Sequence, residues 1–485
     1  MSAPHVVVVG GGMTGLAAAY HLERRSQDAR VTLVERDGRL GGKVATEVVD
    51  GCLLDTGPDS FLAQKPWALE LCRELGIEGE VIRPLQRRFH LLIGGRLHAV
   101  PHELVALVPS KPEALWKASF LSLPGKARAS MEGLVRPRRD EEDESLASFM
   151  RRRFGREFAL RFAEPLMGGV HAGDPQRMSM ASVYPLYWGM EREHGSMTKA
   201  LLAMRLAARR KGAPPAGSPF VALRSGMASL VMRTAAALQR TDVRLGVGVR
   251  SIEPAPSGCL RLALAGGESL EADAVVLAIP AFDAAALVEP WAPRAAPMLR
   301  DIPYASTAVV SLAYRVECLA RQLDGTGFLA PREGALAHGA GEPLPITGCT
   351  WSSAKWEGRA PEGIVLMRAF VGYAGRDREV REHSEAELAE KAHRALAGLL
   401  GIGGEPVLRR VHRWIDSMPQ YEVGHGERLR RIEEGLSGQP SVVLAGSAYR
   451  GVGLPDCVRQ GREAADRALA ACVSEGQRAA EAPRQ

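Results

Sequence analysis

The chain has 485 residues, of which 46% are hydrophobic and 24% charged, and its net charge is +6. That composition fits an ordinary globular protein of two or three domains and excludes a disordered or collagen-like chain; the basic excess is too small to imply nucleic acid. No run approaches the roughly 18 apolar residues of a membrane-spanning helix, and the first apolar run is too short for a signal peptide, so any membrane contact is expected to be peripheral.

Residues 6–35 carry the densest signal. Val6–Val9 is a continuous apolar run, as in a parallel strand buried on both faces. Gly10, Gly12 and Gly15 fit G-x-G-x-x-G, with Gly11, Met13 and Thr14 between them. Such a loop permits a tight turn, close approach to a pyrophosphate and helix-on-strand packing. A helix follows, its positive end toward the phosphates. Val31–Val34 reads as a second strand, and Glu35 closes it where a ribose hydroxyl would bind. Gly38, Gly41 and Gly42 then let the backbone curl, and Lys43 is expected over the pyrophosphate. Gly57-Pro58-Asp59-Ser60 reads as a tight turn offering N–H groups to a ring edge. Gly94-Gly95 reads as a hairpin turn.

From about 99 to 219 helical periodicity takes over, as in ESLASFMRRRF and MTKALLAMRLAARR. MRRRFGR (150–156) reads as a solvated helix face that could also meet anionic headgroups. KGAPPAGSP (211–219) is a plausible domain boundary. Strand patterns return at 220 and recur in DAVVLAIP, STAVVSLAYRV, ITGCTW and IVLMRAFVG, with a helix at about 384–400. VLRRVHRW brings in Trp414. SVVLAG then leads into Arg450–Asp456, where Val452, Gly453 and Leu454 form a turn before a helix. Aimed at a flavin, that helix start would stabilise negative charge developing on reduction. Nucleotide-fold segments thus lie at the start, middle and end, which favours FAD over NAD. The seven cysteines are scattered and read as reduced thiols, and no metal spacing, Ser-His-Asp arrangement or Walker loop is found. His171, His194 and His425 stand alone.

GGGMTGL, GRLGGK, GPDSFLAQK, LPGKARA, EPLMGGVHAGD, CTWSSAKW, RWIDSMPQYEVGH and GSAYRGVGLPDC, in that order, make the chain resemble the oxygen-dependent porphyrinogen oxidases over nearly its full length. LPGKARA, CTWSSAKW and SMPQYEVGH are similar to the coproporphyrinogen III oxidase branch, and protoporphyrinogen IX oxidases are the near alternative. The resemblance implies an α/β (overall α+β) architecture. It has a split glutathione-reductase-like FAD domain (1–50, 220–290, 408–472) and an antiparallel-sheet substrate domain (51–98, 291–407). A helical insertion (99–219) could touch a membrane, and a flexible tail (473–485) ends the chain. It also implies a cytoplasmic flavoprotein of haem biosynthesis, peripheral at most on the inner face of the cell membrane. Such an enzyme is a monomer or homodimer that meets another haem-pathway enzyme, and it takes six hydrogens from a porphyrinogen with O2 as acceptor, releasing H2O2. Flavin contacts carried over are Gly10, Gly11, Gly12, Met13, Thr14, Gly15, Glu35, Arg36, Lys43, Gly57, Pro58, Asp59, Ser60, Val249, Trp414, Val452, Gly453 and Leu454. Lys65, Gly169 and His171 are the substrate-side candidates. His171 departs from the family pattern, which has tyrosine there. Amine or carotenoid oxidoreductases share the FAD fold, and a cofactor-free binding protein on the same scaffold is the competing class.

Overall fold

The structure, a computed structural model, describes residues 3–104, 112–138, 140–210, 218–255, 259–332 and 344–481. The first strand, His5–Val9, is buried at every residue and lies at the centre of a five-stranded sheet. Its order is Asp242–Leu245, Arg30–Glu35, His5–Val9, Ala274–Leu277, Val442–Leu444, and every pairing is parallel. Both faces are covered. Val6, Val8, Val31 and Leu33 pack with the helices, whereas Val7, Val9 and Val34 pack toward the antiparallel strands Val249–Pro254, Leu260–Leu264 and Ser269–Ala272. Period-two alternation explains the division: successive side chains of a strand point to opposite faces. The helices Met13–Arg25 and Leu454–Glu481 cross closely at Gly461, where a Cβ would run into the Thr14 carbonyl.

A second, seven-stranded sheet has the order Leu408–Pro419, Tyr304–Arg315, Ile364–Val371, Gly348–Trp351, Gly327–Leu329, His90–Ile93, Arg96–Ala99. It is antiparallel except where Gly327–Leu329 runs parallel to His90–Ile93. Gly94 and Gly95 turn the last hairpin at φ +57° and +73°, as a two-residue turn requires. Helix Glu385–Leu400 starts at a Ser384/Glu387 capping box and buries Leu388, Ala392 and Leu396 in the core of this sheet. Three boundaries differ from the sequence reading. Leu408–Pro419 pairs with Tyr304–Arg315, so it belongs to the second sheet, and the parallel sheet resumes only at Val442. Ala295–Arg300 packs with the parallel sheet's core. The last helix continues through Glu481, while 482–485, like 211–217 of the expected linker, lie outside the described residues.

Between them, residues 112–210 are helical, as the periodicity indicates, around Phe120, Phe149, Phe154, Phe158 and Phe162. The arginine run corrects its own reading. Arg153 is fully buried: its Nε donates to Glu132 at 2.8 Å and its Nη1 to Glu191 at 3.2 Å. Arg152 binds Glu144 and Glu191, and Arg151 binds Glu164 at 3.0 Å. Arg153 turns inward, and Arg151 and Arg152 are held part-buried, because carboxylates elsewhere in the chain fold against them, whereas Arg156 stays exposed. Among the described residues no helix is long and apolar enough to cross a membrane.

Candidate active site

The glycine loop opens the site. Gly10 has φ +103°, and a Cβ there would lie 2.6 Å from the Ala278 carbonyl. A Cβ on Gly15 would strike the Gly10 carbonyl, which is why helix and strand can lie so close. Around Gly12 there is open space, and no side chain caps the helix that starts at Met13. Its first N–H groups therefore open toward that space without a side-chain cap, which suits a pyrophosphate. Glu35 stands at one end. Its Oε2 accepts from Gly11 N at 2.6 Å and its Oε1 from Asp37 N at 2.8 Å, leaving lone pairs for further donors. Arg36, paired with Asp283 at 2.9 Å, and Val249 lie at this same end: Gly248 adjoins Arg36, and Val247 N donates to the Glu35 carbonyl.

The next stretch bridges to the second sheet. Gly41 N donates to the Gly11 carbonyl at 2.8 Å, and the positive φ of Gly41 and Gly42 turns Lys43 inward. Its Nζ donates to the Ser417 carbonyl, and burial pulls it down to about 8. Lys43 thus reaches the end of Leu408–Pro419, the strand that carries Trp414. Trp414 Nε1 donates to the Thr56 carbonyl at 2.8 Å, and a Cβ on Gly57 would strike the Lys43 carbonyl.

The turn at 57–60 is where the structure adds most. Pro58 and Ser60 are half-buried within it. Asp59 turns away from the open space: it accepts from Lys355 Nζ at 2.9 Å, Trp356 Nε1 at 3.1 Å and Ser60 Oγ at 2.8 Å. Burial alone would raise its pKa; Lys355 and Arg368 reverse this and hold it well below the usual carboxylate range. Arg368 Nη2 donates to the Gly57 carbonyl at 2.6 Å, and its Nη1 lies 3.6 Å from Asp59. Arg359 and Asp55 complete the cluster at 3.6 Å. Asp55 also accepts from Met227 N at 2.8 Å, and burial raises its pKa against the pull of both arginines.

Opposite, the C-terminal turn is braced by Tyr421, whose hydroxyl accepts from Gly451 N at 2.9 Å and donates to the Ser447 carbonyl at 2.6 Å. Gly451 has φ +118°. Val452, Gly453 and Leu454 follow at the mouth of the long helix. Asp456, in its first turn, binds Lys65 at 2.6 Å, so Lys65 is a paired cation rather than a free one. Burial, with the Lys65 ammonium adding to it, lowers His171 to about 4. Lys65 and His171 therefore share one space. Tyr184 stands edge-on to His171 at 5.7 Å, and a Cβ on Gly169 would touch Leu329 at 3.3 Å. Three contacts hold this wall: Gln420 Nε2 to the His171 carbonyl at 3.2 Å, Ala374 N to the Ala172 carbonyl at 2.8 Å, and Arg332 to Asp174 at 2.9 Å. Arg332, Lys355, Arg368 and Tyr421 had no assigned role in the sequence reading. The signal for Arg368 was present: one arginine inside the apolar strand IVLMRAFV. Among the described residues no cluster of His, Cys, Asp and Glu could hold a metal.

A glycine loop without a side-chain cap, an acid closing the second strand and three distant segments converging beside them mark a dinucleotide-dependent oxidoreductase fold. Residues 13–469 match the flavin-containing amine oxidoreductases, and the chain belongs to that family. It is 35% identical to a coproporphyrinogen III oxidase of Bacillus subtilis, with 96% of this chain and 98% of the relative covered. Identity to the Propionibacterium freudenreichii coproporphyrinogen III oxidase is 37%, covering 97% and 92%. Identity to a protoporphyrinogen oxidase of Bos taurus is 32%, covering 96% and 98%. Among solved structures, a putative protoporphyrinogen oxidase from Exiguobacterium superposes with a TM-score of 0.83 at 32% identity, covering 98% of this chain and all of that one.

Proposed function

We propose that this chain is an FAD-dependent oxidase that converts coproporphyrinogen III to coproporphyrin III, with O2 as acceptor and H2O2 as product. The observation that carries the reading is full-length similarity to bacterial coproporphyrinogen III oxidases, together with the convergence of the glycine loop, Lys43, Trp414 and the 452–454 turn on one space. Protoporphyrinogen IX oxidation is the second reading, favoured by the full-length match to the cattle enzyme.

Bound FAD would supply the two-electron acceptor chemistry and its renewal by O2. The residues divide the work of holding it. The loop Gly10–Gly15, with Gly11, Met13 and Thr14, offers backbone N–H groups to the pyrophosphate. Glu35 takes ribose hydroxyls, with Arg36 and Val249 alongside. Lys43 would sit over the pyrophosphate, and the Gly57–Ser60 turn, Trp414 and Val452–Leu454 would border the ring. In this arrangement the parallel sheet serves the nucleotide and the seven-stranded sheet serves the substrate. The macrocycle is broad and apolar with propionates at its edge, so its wall needs apolar surface and a cation at the rim. Gly169 leaves room beside Leu329, His171 stays neutral at physiological pH and presents a ring rather than a charge, and Lys65, steadied by Asp456 and still part-exposed, would turn its remaining ammonium hydrogens to a propionate.

Peripheral membrane contact, if made by this enzyme, falls on helix Met197–Arg210, where Leu202, Met204 and Leu206 are exposed alongside Lys199. In the 150–156 segment Arg151, Arg152 and Arg153 are held in ion pairs, which leaves Arg156 as its exposed arginine.

The two readings separate in kcat/KM measured for both porphyrinogens on one preparation. We expect coproporphyrinogen III to be preferred, and Lys65→Met to raise KM for this tetrapropionate more than for the dipropionate. Equal rises would remove Lys65 from substrate recognition.

A further inference from the structure

The buried charges behind the 57–60 turn do not balance. Arg359, Arg368 and Lys355 face only two carboxylates, Asp55 and Asp59. Asp55 lies closest to Arg359, and Asp59 is bonded by Lys355. Arg368 is the third cation: its Nη1 lies 3.6 Å from Asp59, which Lys355 already binds, and its Nη2 donates to the Gly57 carbonyl at 2.6 Å. The donors also outnumber the acceptors. The buried Nε–H groups of Arg359 and Arg368 find no acceptor among the described residues. Arg359 and Arg368 are 1% and 2% exposed, so water screens little of the excess.

A surplus buried cation is costly, and nothing in local packing requires it. An apolar residue at 368 would continue the strand Ile364–Val371, most of which is apolar. The surplus is fixed one hydrogen bond behind a turn that, in the function proposed above, borders the flavin ring. A hydride carries two electrons with its proton, so a neutral ring that accepts one gains a negative charge, which departs again when O2 takes up two electrons and two protons to give H2O2. A fixed cation nearby favours the charged form and raises the potential.

We infer that Arg368 is a positioning residue whose uncompensated charge, transmitted at the Gly57 turn, sets the reduction potential of the bound flavin, with Asp59 and Lys355 as opposing weights. This rests on the flavin reading, and the test separates the two. The midpoint potential of the holoenzyme is measured by dye-linked reductive titration for wild type, Arg368→Gln, Lys355→Gln, Asp59→Asn and Arg368→Lys. Arg368→Gln and Lys355→Gln each remove a positive charge and should lower the reduced-to-oxidised ratio at fixed potential about tenfold, or about 30 mV for a two-electron couple. Asp59→Asn removes a negative charge and should move the potential upward. Arg368→Lys should stay near wild type. General damage to the turn would not give opposite signs for neighbouring substitutions, so potentials that stay put, or that shift one way for all variants, overturn the inference. If Arg368→Gln yields no folded holoenzyme, Lys355→Gln and Asp59→Asn still carry opposite expectations. A wild-type protein that binds no FAD overturns the functional reading itself, and that is seen before any potential is measured.

Discussion

Two clusters of buried charge lie in this chain, one in the helical region and one behind the 57–60 turn, and they are built on different principles. In the helical region Arg138, Arg152 and Arg153 meet Glu132, Glu144 and Glu191, and Arg138 also binds Asp140 at 2.7 Å nearer the surface, so no cation is left over. Arg153 is satisfied at every nitrogen, with the carbonyls of Glu132, Val135 and Gly195 taking what the carboxylates leave. Glu132 also accepts from Ser196 Oγ and from the N–H groups of Met197 and Thr198, tying in the start of helix Met197–Arg210. That cluster is a staple in which every cation has a carboxylate, although the Arg152 Nε lacks an acceptor among the described residues. The other holds three cations against two acids, with donors left over. A balanced cluster spends its field on the fold, whereas an unbalanced one presents a net charge to whatever lies beside it. Buried ion pairs are therefore not one kind of object: the count of charges tells a staple from a field source.

The comparison can be broken first at Arg153. Arg153→Met leaves Glu132 buried without an arginine and Glu191 with Arg152 alone, and urea unfolding should show a loss of about 3–5 kcal/mol while the flavin potential of folded protein stays unchanged. A shifted potential would mean that the two clusters are coupled. Arg359→Met should cost less, about 1–3 kcal/mol, because Arg368 remains within reach of Asp55; a loss as large as that of Arg153→Met would show that Arg368 is not a surplus cation. Ser196→Ala removes the hydroxyl that accepts from Lys199 N and binds Glu132, and should cost about 1 kcal/mol.

Acid sharpens the contrast further. His171 and His425 are both lowered to about 4 by burial, with the backbone bond from His425 to the Tyr449 carbonyl only partly offsetting it. They take up protons more readily when unfolded, so their share of stability is full above about pH 6.5 and fades between there and pH 4. Burial raises Glu132 and Glu191, but hydrogen bonds and arginines outweigh it and hold both below the ordinary glutamate value of 4.5. Their contribution is full above that value and is lost only as the pH falls further, through their folded values. Urea midpoints against pH should thus decline in two stages, and His425→Gln should flatten the first. A midpoint flat from pH 6.5 to 4.5 would contradict the histidine assignment.

Much of this was legible in local sequence. The Val6–Val9 strand, the loop through Gly15, the Gly94-Gly95 hairpin and helix Glu385–Leu400 each carry their signal within a few residues. The return of Val442–Leu444 to the first sheet was legible too, from its apolar run before a glycine turn. The partners of charged residues were not. Asp59 and Lys355 are 296 residues apart, and Arg153 finds Glu191 38 residues on. Nothing within MRRRFGR, unlike the apolar strand around Arg368, distinguishes a buried arginine from a solvated one, and the run reads as a surface. Strand Leu408–Pro419 was placed in the wrong sheet for the same reason: a strand's partner is set by topology, and its own pattern does not name it.

The central claim is that the converging segments hold a flavin beside a chamber for a porphyrinogen. It is tested most directly by mixing purified holoenzyme with coproporphyrinogen III under anaerobic conditions and following the visible flavin band. The account predicts that the band bleaches, that it returns when O2 is admitted, and that coproporphyrin III and H2O2 accumulate together. A flavin band that stays unbleached by this substrate would contradict it.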